Sequence, residues 1–338
     1  MCTLVRNWRA DVLPTPLAER RITLRDELCI FSGSAHPELA EEVCALRGVP
    51  LSPSVTRHFH NDNLYVQLQE TVRERDVFIV QPFWPLPVSD RVMELLLMLD
   101  AARSASAERV TAVIPYYSYS RSDKKDEPRI SIAGRLIADL LATAGAQRVL
   151  TMTLHAHQVH GFFSVPTDHL SSMPVFASYF QDRDLTNATV VVPDIGHAKR
   201  GNKLARQLGL PLAAVSKKRI SDDEVVVDGL IGEVRGKRVI LADDEIAAGT
   251  SMIAAIQLLR EYGVTEVTLV CTHGMFCGPA IEHLRVIPEI KTIVTTNTVP
   301  IPPEKRIKGM EVLSVAPLFA EAIRRIHEGE TMQPLFDY

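Results

Sequence analysis

The sequence predicts an α/β protein of mostly parallel sheets flanked by helices, spread over two tandem domains. Three observations predict it. Short apolar runs alternate with helix-length amphipathic segments, as parallel strands joined by covering helices require. The 338 residues suit two domains at about 150 residues each. Arg148–His155 (RVLTMTLH) and Arg238–Glu245 (RVILADDE) share one pattern: a basic residue, an apolar strand, then polar residues.

The runs read as strands are Cys29–Ser32, Asp76–Gln81, Arg109–Ile114, Arg148–Leu154, Thr189–Pro193, Leu212–Val215, Arg238–Ala242, Glu266–Thr272 and Thr292–Thr295. Helices are expected at Pro37–Arg47, where Leu39, Val43 and Leu46 share a face, and at Asp90–Ala102, Ile130–Thr143, Lys199–Leu208, Ser251–Tyr262 and Pro317–His327. Gly48, Gly145, Gly209 and Gly263 follow four of them as stop signals. Ser164–Pro174, with two prolines, reads as a hinge. The expected division is an extension over 1–25, a first domain over 26–168 joined by the terminal helix 317–338, and a second domain over 169–316.

Composition narrows the function. Hydrophobic residues make up 46% and charged residues 23%, as in soluble globular proteins. With 37 basic and 41 acidic residues, net −4, there is no electrostatic case for nucleic acid, whose binding rests on phosphate neutralisation. The five cysteines, Cys2, Cys29, Cys44, Cys271 and Cys277, have no C-x-x-C spacing, which argues against a disulfide framework or zinc site. Met1–Pro14 lacks a signal-type apolar core. No apolar run reaches the ~18 residues of a membrane helix. The cytoplasm is the expected location, and no membrane partner is expected.

Four polar loops follow strands: Pro115–Asp123, His155–His160, Asp194–Lys199 and Asp243–Ser251. Ligands of open parallel sheets bind outside the carboxyl ends of the strands, so these loops nominate the site. The strongest is Val239-Ile-Leu-Ala-Asp-Asp-Glu-Ile-Ala-Ala-Gly-Thr-Ser251. Adjacent carboxylates accept hydrogen bonds from vicinal hydroxyls. The small residues that follow let backbone N–H groups approach a phosphate at a helix start. There is no G-x-G fingerprint and no Walker-type loop.

This segment resembles the ribose-5-phosphate loop of the phosphoribosyltransferase fold. The resemblance widens with Phe31-Ser-Gly-Ser-Ala-His-Pro-Glu-Leu-Ala40, Pro115-Tyr-Tyr-Ser-Tyr-Ser-Arg-Ser-Asp-Lys-Lys125, Thr151-Met-Thr-Leu-His-Ala-His-Gln-Val-His-Gly-Phe-Phe163, Val192-Pro-Asp-Ile-Gly196, Ser216-Lys-Lys-Arg219 and Gly232-Glu-Val-Arg-Gly236. From about residue 27 to 336 the order is similar to that of the ribose-phosphate diphosphokinases (phosphoribosyl pyrophosphate synthetases).

That resemblance implies two phosphoribosyltransferase-type domains with the active cleft between them. It also implies an activity: the C1 hydroxyl of ribose 5-phosphate attacks the β-phosphorus of ATP, and AMP leaves. The family's positions place ATP against Phe59, Asn61, Asn63, Arg121, Ser122 and Asp123. They place Mg2+ at His155 and Asp194, and the catalytic cations at Lys217 and Arg219 on a mobile loop. Ribose 5-phosphate falls to Asp243, Asp244, Ala247, Ala248, Gly249, Thr250 and Ser251. Phe59 would be donated by a neighbouring subunit of a homo-oligomer, commonly a hexamer, or of a hetero-oligomer with a paralogue.

The sequence also departs from the family. His60-Asn61-Asp62-Asn63 replaces Ser-Asp-Gly-Glu, Ser122 replaces a glutamine and Thr153 an aspartate. Ala247 and Ala248 replace an acid and a threonine. His155, His157 and His160 crowd one loop, and His155 with His157 could share a face and hold a transition metal. His197 and Lys199 could reach a phosphate or sit in solvent. Beside the active synthetase stand two alternatives: a catalytically silent regulatory paralogue and a phosphoribosyltransferase.

Overall fold

The computed structural model of the protein describes residues 27–219 and 225–336. The expected 1–25 extension and the polar run Ser221–Glu224 lie outside the described residues.

The first sheet is built from β1 (Leu28–Ser32), β4 (Asp76–Val80), β5 (Arg109–Ile114), β6 (Arg148–Met152) and β7 (Thr167–Leu170), all parallel and in that spatial order. Between β1 and β4 come helix α1 (Pro37–Arg47) and an antiparallel hairpin, β2 (Ser54–His58) and β3 (Leu64–Leu68). Helices α2 (Val88–Ser104) and α3 (Ala133–Ala144) follow β4 and β5.

Helix α4 (Met173–Gln181) leads into the second sheet. Its strands are β8 (Ala188–Val192), β9 (Leu212–Arg219), β10 (Val225–Ile231), β11 (Arg238–Ile246), β12 (Val267–Gly274), β13 (Ile290–Thr296) and β14 (Met310–Leu313). The spatial order is β10-β9-β8-β11-β12-β13-β14, parallel except for β10. Helices α5 (Ala198–Leu208), α6 (Thr250–Glu261), α7 (Ala280–Arg285) and α8 (Ala316–Glu328) complete the chain. None of the described helices is long and apolar enough to cross a membrane.

Period-two alternation explains the layers. In β4, Val77 and Ile79 face Leu95 and Leu99 of α2, while Phe78 and Val80 face α1 and Phe319 and Ile323 of α8. The chain's last long helix therefore covers the first sheet. In β11, Val239 and Leu241 pack with Ile256 and Leu259 of α6, and Ile240 and Ala242 with Phe176 of α4 and Leu204 of α5.

The structure differs from the sequence reading in places that bear on the site. β7 occupies the expected hinge and joins the first sheet, so the 168/169 division falls inside a strand. β11 runs on to Ile246 because β12 stays paired with it, which puts Asp243, Asp244 and Glu245 in a strand. Lys217 and Arg219, expected on a loop, lie on β9 with backbone partners Val227 and Val225; their side chains lie outside the described residues.

Candidate active site

The carboxyl ends of β6 and β11 meet. β8 pairs with β11 only as far as Leu241, so the strand's last residues have a free edge there. Into that gap come the loop after β6, which carries His155, and the turn between β8 and α5, which carries His197. Gly201 of α5 lets the helix sit close to β8, since a Cβ there would lie 2.3 Å from Val192 Cγ1.

Asp244 is the centre of the cluster. Its side chain is 1% exposed. His155 Nδ1 lies 2.6 Å from Asp244 Oδ2, and Arg200 Nη1 lies 3.2 Å from the same oxygen. His197 Nε2 is 3.4 Å from Asp244 Oδ1 and 3.6 Å from Asp243 Oδ1. The other His197 nitrogen, Nδ1, bonds Asp194 Oδ2 at 2.9 Å. Asp243 Oδ1 accepts the Asp244 backbone N–H at 2.8 Å.

Electrostatics divides the two adjacent acids. Burial and then the Asp244 charge push the Asp243 carboxyl well above its ordinary value. Burial also opposes the Asp244 charge, but the hydrogen bond with His155, the nearby His197 imidazole and the Arg200 guanidinium outweigh it and hold that carboxyl well below the usual range. His197 shows the reciprocal effect: burial disfavours its cation, yet Asp194, Asp244 and Asp243 push it up to about 10.

A second cross-sheet contact lies alongside. Glu245, 5% exposed, pairs with Arg121 Nε and accepts from Tyr116 Oη at 3.2 Å. Burial pushes the Glu245 carboxyl up, against the pull of Arg121.

The other expected residues divide by place. After β11, Gly249 turns at φ 77°, and Thr250 opens α6. Residues 246 and 247 are pinned by Phe276 N and Cys277 N, which donate to Ile246 O at 3.0 Å and Ala247 O at 2.9 Å. Ala248, Thr250 and Ser251 are exposed, and no side chain caps α6. Asp123 accepts from Gln158 Nε2.

Several expected residues have partners within the protein. The Ser122 hydroxyl is engaged within its own loop: it accepts from Ala133 N at 3.0 Å and donates to Ser131 O at 3.2 Å. The Asp244 carboxylate meets His155, His197 and Arg200. His157 does not share a face with His155; its ring packs on His169, 5.3 Å between centroids, while His155 meets His197 at 5.6 Å. Phe59, Asn61 and Asn63 stand at the β2–β3 tip. Phe59 is 47% exposed, edge-on to Tyr65 and beside Arg57.

Sequence reasoning missed Glu245 and Arg200 and left His197 open. Arg200 carries a readable signal, since it lies three residues after His197, in the first turn of α5. Nothing local marks Glu245 as buried.

Family models match the chain twice: the N-terminal domain of ribose phosphate pyrophosphokinase over residues 28–145 and the phosphoribosyl synthetase-associated domain over 227–337. A Streptomyces coelicolor relative is 54% identical, covering 92% of this chain and 98% of its own. A ribose-phosphate pyrophosphokinase of Deinococcus radiodurans is 52% identical, with coverage of 92% and 98%. The chain belongs to the ribose-phosphate pyrophosphokinase family. It is thus one of a family of enzymes. The fold agrees with that of a family member from Mycobacterium smegmatis, a phosphoribosylpyrophosphate synthetase, at TM-score 0.84 and 39% identity, covering 90% of this chain and 99% of that one.

Proposed function

We propose that the chain makes phosphoribosyl pyrophosphate by transferring the β,γ-diphosphoryl group of ATP to ribose 5-phosphate. The C1 hydroxyl oxygen bonds to the β-phosphorus and one proton is released. The bond from that phosphorus to the α-phosphate oxygen breaks, and AMP leaves with the electron pair. Such transfers depend on positioning and charge neutralisation more than on covalent help.

One observation carries the reading: at the carboxyl ends of two parallel sheets, His155 and Asp244, distant in sequence, meet at 2.6 Å. On this reading Ala247, Ala248, Gly249, Thr250 and Ser251 hold the 5-phosphate on the backbone of the α6 start. Asp243 and Asp244 hold the ribose hydroxyls, with Asp244 braced by His155, His197 and Arg200. Arg121 leaves Glu245 to grip the donor phosphates bidentately, with Asp123 beside it. Phe59, exposed on its hairpin with Asn61 and Asn63, stacks on the adenine of a second copy in a homo-oligomer. Lys217 and Arg219 neutralise the charge on the transferring group.

The cleft's chemistry fits a divalent cation, because Asp244 Oδ1 is buried and accepts no hydrogen bond. Magnesium, when bound, neutralises phosphate charge. It suits oxygen ligands and retained water, and His155 and Asp194 are the side chains that would hold it beside the donor's own oxygens. The cytoplasm fits the described cysteines, which are all free.

The test is AMP release from ATP with purified protein, with and without ribose 5-phosphate. Release that requires the sugar phosphate is expected. None above background with any divalent ion rejects the reading.

A further inference from the structure

We infer that Lys305 is a positioning residue that aims the backbone N–H groups of the 247–251 bend at the sugar 5-phosphate. The inference rests on the reading of that bend as a sugar-phosphate site and names the side chain that sets its geometry from behind.

Two hydrogen bonds orient the bend. Phe276 N donates to Ile246 O at 3.0 Å and Cys277 N donates to Ala247 O at 2.9 Å. The peptides 246–247 and 247–248 are trans, so each carbonyl and the N–H that follows it point to opposite sides. Tying both carbonyls back to 276 and 277 therefore turns the N–H groups of Ala247 and Ala248 away from β12. Among the described residues neither has a backbone acceptor. Outward N–H groups beside a helix start are what an anion requires.

The two donors belong to a strained turn. Phe276 is fully buried with φ 47°, in the left-handed region that a residue with a Cβ avoids. Such a conformation persists only where its surroundings fix it. Gly274 makes room for the ring, since a Cβ there would lie 2.6 Å from Phe276 Cε2 and 2.7 Å from Thr295 Oγ1. Met275 packs with Trp84, Tyr116 and Val299, and Ala247 and Cys277 rest on the same group.

Lys305 fixes the peptide planes themselves. It stands at the end of the short turn Pro303–Lys305, and its Nζ donates to Phe276 O at 2.7 Å, with Met275 O at 3.5 Å. Those two carbonyls share their peptide groups with Cys277 N–H and Phe276 N–H, the donors that hold the bend. One ammonium thus sets the direction of both. The line runs from Lys305 through the 276–277 peptide to Ala247 O, and through the 247–248 peptide to the Ala248 N–H. Hydrogen bonds in such a chain polarise one another, so a cation at one end strengthens the donor offered to an anion at the other. Without it the carbonyls of residues 246 and 247 are no longer held back from an incoming phosphate.

The experiment titrates the full chain calorimetrically with ribose 5-phosphate and follows AMP release against each substrate in turn. Lys305→Met should raise the Kd and KM for ribose 5-phosphate about tenfold, while kcat and the KM for ATP stay near those of the parent. Lys305→Arg, which keeps donor and charge, should recover most of the loss. Lys305→Gln, a donor without the charge, should lose about threefold and serves where the methionine variant does not fold. Lys291→Met is the control. Lys291 also donates to a main-chain carbonyl, Pro288 O at 2.7 Å, but at the opposite end of the second sheet, and its loss should change neither constant. Unchanged ribose 5-phosphate affinity in Lys305→Met, or equal losses for the sugar phosphate and for ATP, overturns the positioning role and leaves the transferase reading intact. A parent that binds ribose 5-phosphate through Lys305 yet releases no AMP rejects the transferase reading alone. A parent that binds no ribose 5-phosphate rejects both.

Discussion

Arg148–His155 and Arg238–Glu245 look alike on paper and start alike in the fold. Each opens on an arginine paired with an aspartate, Arg148 with Asp168 at 2.6 Å and Arg238 with Asp184 at 3.1 Å. Each then crosses the buried middle of a parallel sheet. They diverge at the carboxyl end. β6 stops at Met152, and Thr153 turns into the left-handed region at φ 44°, a conformation that disfavours β-branched residues. β11 continues, held on one side by β12. The broken strand delivers an imidazole and the continued one delivers carboxylates, so a pair of look-alike strands supplies opposite halves of one charge-neutralising site. Neither half is complete alone.

The hardest blow to that complementarity is Asp244→Asn. It leaves His155, His197 and Arg200 without the buried charge they share. Turnover should fall about 10³-fold, and stability by about 3–5 kcal/mol, read from AMP release and urea melts. Wild-type values in both would show that the two strand ends meet without consequence.

Lys217→Ala tests whether a third strand, β9, completes the pair. Removing a cation that acts on transition-state charge should lower kcat about a hundredfold while KM changes little. A matching rise in the substrate dissociation constant would assign Lys217 to ground-state binding instead.

Acid should weaken only the imidazole half. His273 Nε2 bonds the Thr153 carbonyl at 3.1 Å, and the half-buried His169 accepts the Leu154 N–H at 2.8 Å. Both brace the break after β6. Burial pushes His273 down to about 4 and His169 down to about 3, from an ordinary 6.5. A depressed histidine is neutral when folded and takes up its proton first when unfolded. Its stability contribution is therefore complete above pH 6.5 and falls as pH drops toward 4. The slope approaches about 1.4 kcal/mol per pH unit for the fully buried His273 and less for His169. Urea melts at pH 7 and 5 should show the loss, and His273→Gln should flatten it.

Glu245→Gln sharpens the other side. It removes the charge that holds Arg121, so the nucleotide should bind several-fold tighter in a calorimetric titration. Weaker binding would mean that Glu245 positions Arg121 for the donor. The smallest effect belongs to Ser122→Ala, which removes a loop hydroxyl and should cost about 1 kcal/mol with nucleotide affinity unchanged. A large affinity loss would restore Ser122 to the donor site.

The alternation of apolar runs and helix-length segments made the parallel sheets legible, because parallel strands buried on both faces are written as continuous apolar sequence. The hairpin β2–β3 escaped that reading. Its strands, Ser-Val-Thr-Arg-His and Leu-Tyr-Val-Gln-Leu, are short and half-exposed. Helix α4 also escaped: it starts at the end of the supposed hinge and runs on to Gln181, although Pro174 is a helix-start residue. At the site, His155 and the Asp243–Asp244 pair could be read as strand-end polar residues. The partners that settle their behaviour could not.

By itself the sequence determined the element types, the loops that carry chemistry and the small-residue bend at 247–251, because these depend on local periodicity and on side-chain size. Tertiary structure alone decided that Asp244 meets Arg200, that His197 rather than His157 joins His155, and that Glu245 holds Arg121. Those outcomes depend on how far β12 keeps β11 extended and on which loops from two sheets converge there. Contacts between residues some ninety positions apart, such as His155 and Asp244, are set by the packing of whole layers, and no local pattern encodes them.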